Sequence, residues 1–65
     1  MDTQTFLSSV EDFLRDSKMS DTRFGKEALR DPMFVFELRN GRNVSLKLVE
    51  RVNRFMSEHR EPAEG

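Results

Sequence analysis

The sequence contains no cysteine, tryptophan or tyrosine, and none of its 65 residues belongs to a long apolar run. Without cysteine, the chain can form neither disulfides nor thiolate metal sites. A membrane-spanning helix needs about 18 consecutive apolar residues, which no segment approaches. The first residues, MDTQTF, also lack the basic start of a signal peptide. We therefore expect a small soluble protein of the cytoplasm that has no membrane partner.

Phenylalanine is the only aromatic residue available to fill a hydrophobic core. The chain has six phenylalanines and four methionines. A chain of this length buries only about 60% of its unfolded surface, so each large side chain matters for stability. We expect five of the six to lie in the core rather than to form a base-stacking platform. These five are Phe6, Phe13, Phe24, Phe34 and Phe55.

Basic residues are concentrated in the middle of the chain, although the net charge is only −1. Residues 1–17 carry four acidic side chains against one basic side chain, and residues 18–54 carry nine basic against five acidic. Residues 55–65 are again mainly acidic. The local electrostatic field matters more to a polyanion than the total charge does. The central segment therefore suits contact with DNA, and an ordinary solvated surface explains the same charges equally well.

The apolar pattern predicts an all-α fold, a compact domain of four helices. The first helix covers residues 3–17, where apolar residues recur at the spacing of one helical face. The second covers residues 21–29, with Ser20 as its N-cap. Gly25 lies in its interior, where glycine costs about 1 kcal/mol against alanine. We therefore expect a neighbouring element to approach closely at Gly25.

The third and fourth helices are marked by their capping residues. Asp31 is predicted as an N-cap and Pro32 as the first residue of a third helix over residues 32–40. Gly41 supplies the left-handed residue that ends it. Ser45 caps a fourth helix over residues 46–59. The domain is thus predicted to cover residues 1–60, and residues 61–65 form a flexible tail.

Two short helices joined by the turn "LRD" form a predicted helix-turn-helix at the centre of this domain. Between residues 19 and 56, the order "MSDTRFGKEAL", "LRNGR" and "SL..VERV..FM" resembles the helix-turn-helix domains of the Cro and phage-repressor type. It also resembles a group of very short bacterial regulators. The positions that match the family pattern are Ser20, Gly25, Ala28, Val35, Leu38, Gly41, Arg42, Ser45 and Leu46.

The resemblance implies a DNA-binding transcriptional regulator of the bacterial cytosol or nucleoid, or of a phage. Its 32–40 helix would enter the major groove of double-stranded DNA, and the preceding helix would cross the backbone. Free amides at the start of that preceding helix would meet a phosphate. The residues implied as phosphate contacts are Ser20, Thr22, Arg23, Lys26, Arg30, Arg39, Arg42, Asn43 and Lys47.

The outward face of the third helix is unusually apolar. If each residue advances by about 100°, Val35, Leu38 and Phe34 point inward. The opposite, base-facing side then holds Met33, Phe36, Glu37 and Asn40. The resembling family usually places polar residues at these positions, whereas two of the four are apolar in this chain.

Three interpretations of Met33 and Phe36 remain open. Both side chains can pack on thymine methyl groups, while Glu37 and Asn40 reach base edges. They can instead form an interface with another chain, since adjacent exposed apolar groups often mark one. In a chain this small they can also be buried in the same monomer. The second interpretation gives the alternative function, a protein-interaction module that uses Met33, Phe36 and the acidic first helix.

No pattern in the sequence supports catalysis, a cofactor, a metal site or a small-molecule substrate. His59 is the only histidine, and no cysteine accompanies it. The carboxylates Glu11, Asp12 and Asp16 lie on the solvent side of the first predicted helix. The protein is therefore not expected to be an enzyme. The sequence also permits a homodimer, and its predicted interface is formed by Phe55 and Met56, late in the fourth helix.

Overall fold

The computed structural model describes residues 3–59, which form four helices joined by short connections. They are α1 (Thr3–Ser17), α2 (Asp21–Leu29), α3 (Phe34–Arg39) and α4 (Leu46–His59). This range contains no strand, so the prediction of an all-α fold is confirmed. None of the four described helices combines the length and the apolar character needed to cross a membrane. The predicted tail at residues 61–65 lies outside the described residues.

The core is built around Phe24 on α2, which is completely buried. Its ring centroid lies 5.6 Å from that of Phe13, 5.4 Å from that of Phe55 and 6.4 Å from that of Phe34. Each such aromatic pair adds about 0.5–1.5 kcal/mol beyond its buried area. The cluster thus connects all four helices through α2. The prediction that these phenylalanines, together with Phe6, form the core is confirmed.

The predicted homodimer surface on α4 is occupied by this core. Phe55 is 9% exposed and Met56 is 5% exposed, and both belong to the buried cluster. The Phe55 ring also meets the Phe13 ring edge-on at 6.2 Å. The prediction that Phe55 and Met56 supply a dimer interface is therefore wrong. Their periodicity reflects packing inside one chain, because α4 turns its apolar face toward α1 and α2.

Three of the predicted capping residues are confirmed. The Ser20 hydroxyl accepts a hydrogen bond from the Arg23 amide at 3.1 Å and begins α2. The Ser45 hydroxyl accepts from the Leu48 amide, also at 3.1 Å, and begins α4. Gly41 follows α3 with φ of 95°, the left-handed conformation that L side chains rarely adopt.

The turn between α2 and α3 packs tightly against α2. Arg30 ends α2 with φ of 59°, and the Asp31 amide donates to the Gly25 carbonyl at 3.0 Å. A Cβ on Gly25 would collide with the Asp31 carbonyl oxygen and would lie 3.2 Å from the Phe34 Cβ. The close approach predicted at Gly25 is confirmed, and it is made by the turn itself.

The start of α3 differs from the prediction. The helix begins at Phe34, two residues later than predicted, and Met33 is its N-cap. Asp31 still satisfies amides at this end, since its carboxylate accepts from the Met33 amide at 3.2 Å and its carbonyl accepts from the Phe34 amide at 3.0 Å. These two bonds hold Pro32 and Met33 in a turn. The chain therefore enters the helix only after that turn.

Candidate functional site

The outer face of α3, defined as Met33, Phe36, Glu37 and Asn40, is open to solvent. Met33 is 53% exposed and Phe36 is 39% exposed. On the opposite side of the helix, Phe34, Val35 and Leu38 are buried. The interpretation that Met33 and Phe36 are buried in the same monomer is therefore wrong. Contact with DNA and contact with another chain both remain compatible with this face.

A shallow groove along α2 brings together many of the residues predicted to contact phosphates. We call it the α2 groove. It holds three basic side chains and one carboxylate, and it reaches Pro32 just before α3. Its lining residues are Ser20, Thr22, Arg23, Lys26, Glu27, Arg30 and Pro32.

The basic side chains of the α2 groove are not equivalent. Arg23 donates to Glu27 at 2.7 Å, one turn along α2, so its charge is partly neutralised. Lys26 and Arg30 form no ion pair with any residue in the range 3–59. Two cations of this groove therefore remain available to an anion.

Arg39, predicted as a phosphate contact, connects three helices instead. Its guanidinium donates two hydrogen bonds to Glu11 on α1, at 2.8 and 2.7 Å, and two to Asp21 on α2, at 2.7 and 3.4 Å. Hydrogen bonding to Glu11 and Asp21 raises the pKa of Arg39. The hydrogen bonds that Glu11 accepts from Arg39 lower the pKa of Glu11 below its usual value. Arg39 is therefore already paired within the fold, and a phosphate would have to compete with Glu11 and Asp21 for it.

Arg42, just past the C-terminal end of α3, is also held by carboxylates. It donates to Asp31 at 2.9 Å and to Glu37 at 2.8 Å, and its guanidinium lies 5.6 Å from the centre of the Phe34 ring. The hydrogen bond to Asp31, helped by the charge of Glu37, raises the pKa of Arg42. Arg42 thus fixes the chain after α3 against the turn before it, and Glu37 is no longer an unpaired polar group.

A second groove, the α4 groove, lies between the end of α2 and the first turns of α4. Lys47 lines it, as do two arginines, Arg51 and Arg54, that we did not predict as functional. The complete lining is Leu29, Ser45, Lys47, Leu48, Glu50, Arg51 and Arg54. The spacing of the three cations, four and then three residues apart, places them on one helical face, and this signal was present in the sequence. Asn43 is exposed in the loop before α4 and lines neither groove.

These surfaces can bind anions but present no arrangement for metal chemistry. Within the described range, no group of three or more histidine, cysteine or acidic residues could hold a metal ion. The carboxylates Glu11, Asp21, Asp31 and Glu37 all face arginines. Five cations that form no ion pair within residues 3–59 lie in the two grooves, beside α3 rather than on it, and a sixth, Lys18, lies outside both grooves.

Comparison with known proteins adds no relative: no family model, no curated protein and no solved structure matches the chain. The two grooves and the outer face of α3 are the surfaces that bear on function.

Proposed function

We propose that the protein is a non-catalytic, DNA-binding regulator of transcription in which α2, the turn and α3 act as a helix-turn-helix. The observation that carries this proposal is the α2 groove. It gathers Ser20, Thr22, Arg23, Lys26 and Arg30 on one surface that leads to the start of α3. Positive side chains along the helix that crosses the backbone suit a phosphate chain.

The first turn of α2 supports one phosphate contact. Its amides carry partial positive charge at the start of a nine-residue helix, and a phosphate oxygen can accept from them. The Thr22 hydroxyl lies in the same groove and can donate to the same phosphate. Lys26 and Arg30 then hold the next part of the backbone.

The outer face of α3 would lie in the major groove. Asn40 is its one side chain that can make two hydrogen bonds to adenine, because Glu37 is already bonded to Arg42. Met33 and Phe36 would pack on thymine methyl groups. We therefore expect a preference for sites rich in A·T pairs, with DNA shape and phosphate contacts supplying much of the affinity.

A DNA-binding titration at several salt concentrations tests this proposal. Lys26→Gln/Arg30→Gln should weaken binding to all duplexes alike and make the plot of log K against log salt shallower by about 0.9 for each phosphate that is no longer neutralised. Arg15→Gln/Lys18→Gln is the matched control, because it removes the same charge from residues that line neither groove. Equal behaviour of the two variants, or no DNA binding by the wild-type protein, would contradict the proposal.

A protein-interaction module of the same fold is the second candidate. Two observations favour it. Met33 and Phe36 are exposed apolar side chains, and nearby Arg39 and Arg42 are outnumbered by the four carboxylates with which they pair, so the surroundings are acidic. In that case the affinity for the partner would hardly respond to salt. Phe36→Ala would then abolish binding to another protein chain, or dissociate a homodimer measured by light scattering, and would leave DNA binding unchanged.

A further inference from the structure

The arginines of residues 3–59 divide into two groups. Four of them, Arg15, Arg23, Arg39 and Arg42, form ion pairs with carboxylates. The other three form no ion pair within this range, and all of them line a groove: Arg30 in the α2 groove, Arg51 and Arg54 in the α4 groove. The chain is rich in acidic residues. Cations that remain unpaired in such a chain, and that share two adjoining grooves, point to an anionic partner.

We propose that the α4 groove is a second phosphate-binding surface, which holds the DNA backbone next to the stretch held by α2. This inference rests on the proposed DNA-binding function and extends the DNA-binding surface beyond the helix-turn-helix. Lys47, Arg51 and Arg54 are the side chains that carry it, and two of them lie outside the motif that suggested DNA binding.

The geometry of the groove suits a backbone with regularly repeated charge. Seven residues separate Lys47 from Arg54, a rise of about 10 Å along the helix. One DNA strand carries a phosphate for about every 3.4 Å of axis, so the three cations can meet neighbouring phosphates. Ser45 lies at the start of the same groove. Its oxygen accepts from the Leu48 amide, and its hydroxyl proton can still be donated to a phosphate oxygen.

The two grooves adjoin at the end of α2. Leu29 lines the α4 groove, and the next residue, Arg30, lines the α2 groove. A backbone that contacts both sets of cations would pass the end of α2, where these two neighbouring residues lie.

An acidic protein is a poorer match for the α4 groove than DNA. Protein interfaces usually centre on exposed aromatic or large aliphatic anchors. The apolar residues in this groove, Leu29 and Leu48, are partly buried against the core. The strongly exposed apolar side chains of the described range are Met33, Phe36 and Leu46, and none of them lines the α4 groove.

The test compares charge-matched double variants on a random duplex about 20 base pairs long, roughly two helical turns. Arg51→Gln/Arg54→Gln should make the salt plot shallower by about 1.8 and weaken binding by about 60-fold at 0.1 M salt, as expected when two phosphates are no longer neutralised. Arg15→Gln/Lys18→Gln should leave the slope unchanged. Circular dichroism and thermal unfolding verify that each variant remains folded, as expected for exposed positions.

The outcomes separate this inference from the proposed function. If Lys26→Gln/Arg30→Gln reduces the slope but Arg51→Gln/Arg54→Gln behaves like the control, the α4 groove does not contact DNA and the helix-turn-helix proposal stands. The α4 groove would then be a solvated surface or a site for an acidic protein. If the wild-type protein does not bind DNA, both proposals fail together.

Discussion

The Arg39 side chain donates two hydrogen bonds to Glu11 and two to Asp21, joining α3 to α1 and α2. Its own side chain is 37% exposed, so solvent weakens these ion pairs. Arg39→Gln should therefore lower the free energy of unfolding by about 1 kcal/mol, as expected for a partly exposed network, and the melting temperature by about 4–8 °C. It should leave the salt dependence of DNA binding unchanged.

Thermal unfolding and the DNA titration together check this prediction. Arg30→Gln is the natural comparison, because it should change the salt dependence and leave the melting temperature nearly unchanged. The opposite pattern, a stable Arg39→Gln protein that binds DNA with a shallower salt plot, would return Arg39 to the predicted phosphate-binding residues.

Gly25 and Gly41 are needed for different physical reasons. A methyl group on Gly25 would collide with the Asp31 backbone, whereas one on Gly41 would meet no atom within 4 Å but would have φ of +95°. Gly25→Ala should cost about 2 kcal/mol through overpacking, even after any gain in helix propensity. Gly41→Ala should cost about 1 kcal/mol through backbone strain. Urea denaturation measures both, and a Gly25→Ala protein more stable than the wild type would contradict the close packing.

At the level of helices, the α2–α3 turn depends on Asp31. One of its oxygens accepts from the Met33 amide and the other from Arg42, so one side chain supports both the start and the end of α3. Asp31→Ala removes both bonds and should cost about 1–2 kcal/mol, whereas Asp31→Asn keeps an acceptor for the amide and should cost about half as much. Melting temperatures of the two variants check this order. Equal losses would mean that the cap contributes nothing.

The helices themselves could be predicted from the sequence because their causes are local. Apolar spacing fixed the faces of α1, α2 and α4, and Ser20, Ser45 and Gly41 marked ends at which their hydrogen bonds or φ angles are now seen. The start of α3 was misplaced because Asp31 can cap a helix or close a turn with the same oxygen. Propensity at Pro32 does not distinguish these two cases.

The candidate site was less predictable, because its charges are set by contacts between distant residues. Glu11 and Arg39 are 28 positions apart, so no local pattern shows that Arg39 is already paired. The apolar spacing of Phe55 and Met56 suits an interface and a core equally, and only the packing of α4 assigns them to the core. Arg51 and Arg54 could have been recognised from their spacing to Lys47. That they form no ion pair with the described residues required the structure.

Across the whole molecule, the acidic α1 is tied to α3 by the ion pair between Glu11 and Arg39, and this makes stability depend on pH. Hydrogen bonds from Arg39 lower the pKa of Glu11 in the folded chain below its ordinary value. As the pH falls, Glu11 is therefore protonated in the unfolded chain before it is protonated in the folded chain. The stabilisation is complete above the ordinary glutamate pKa, about 4.3, and is lost as the pH falls through the lowered folded value.

Glu11→Gln isolates this contribution. The wild-type protein should be more stable than the variant between about pH 6 and 7, and the difference should disappear in acid as the wild-type carboxylate is protonated. Because the Glu11 side chain is 40% exposed, the difference should be no more than about 1 kcal/mol and should shrink in high salt. Melting temperatures of both proteins measured from neutral to acid pH check the prediction. Asp12→Asn is the control, since within residues 3–59 Asp12 pairs only with Arg15 on the same helix. A Glu11→Gln deficit that persists in acid would show that the interaction of Glu11 with Arg39 is not ionic.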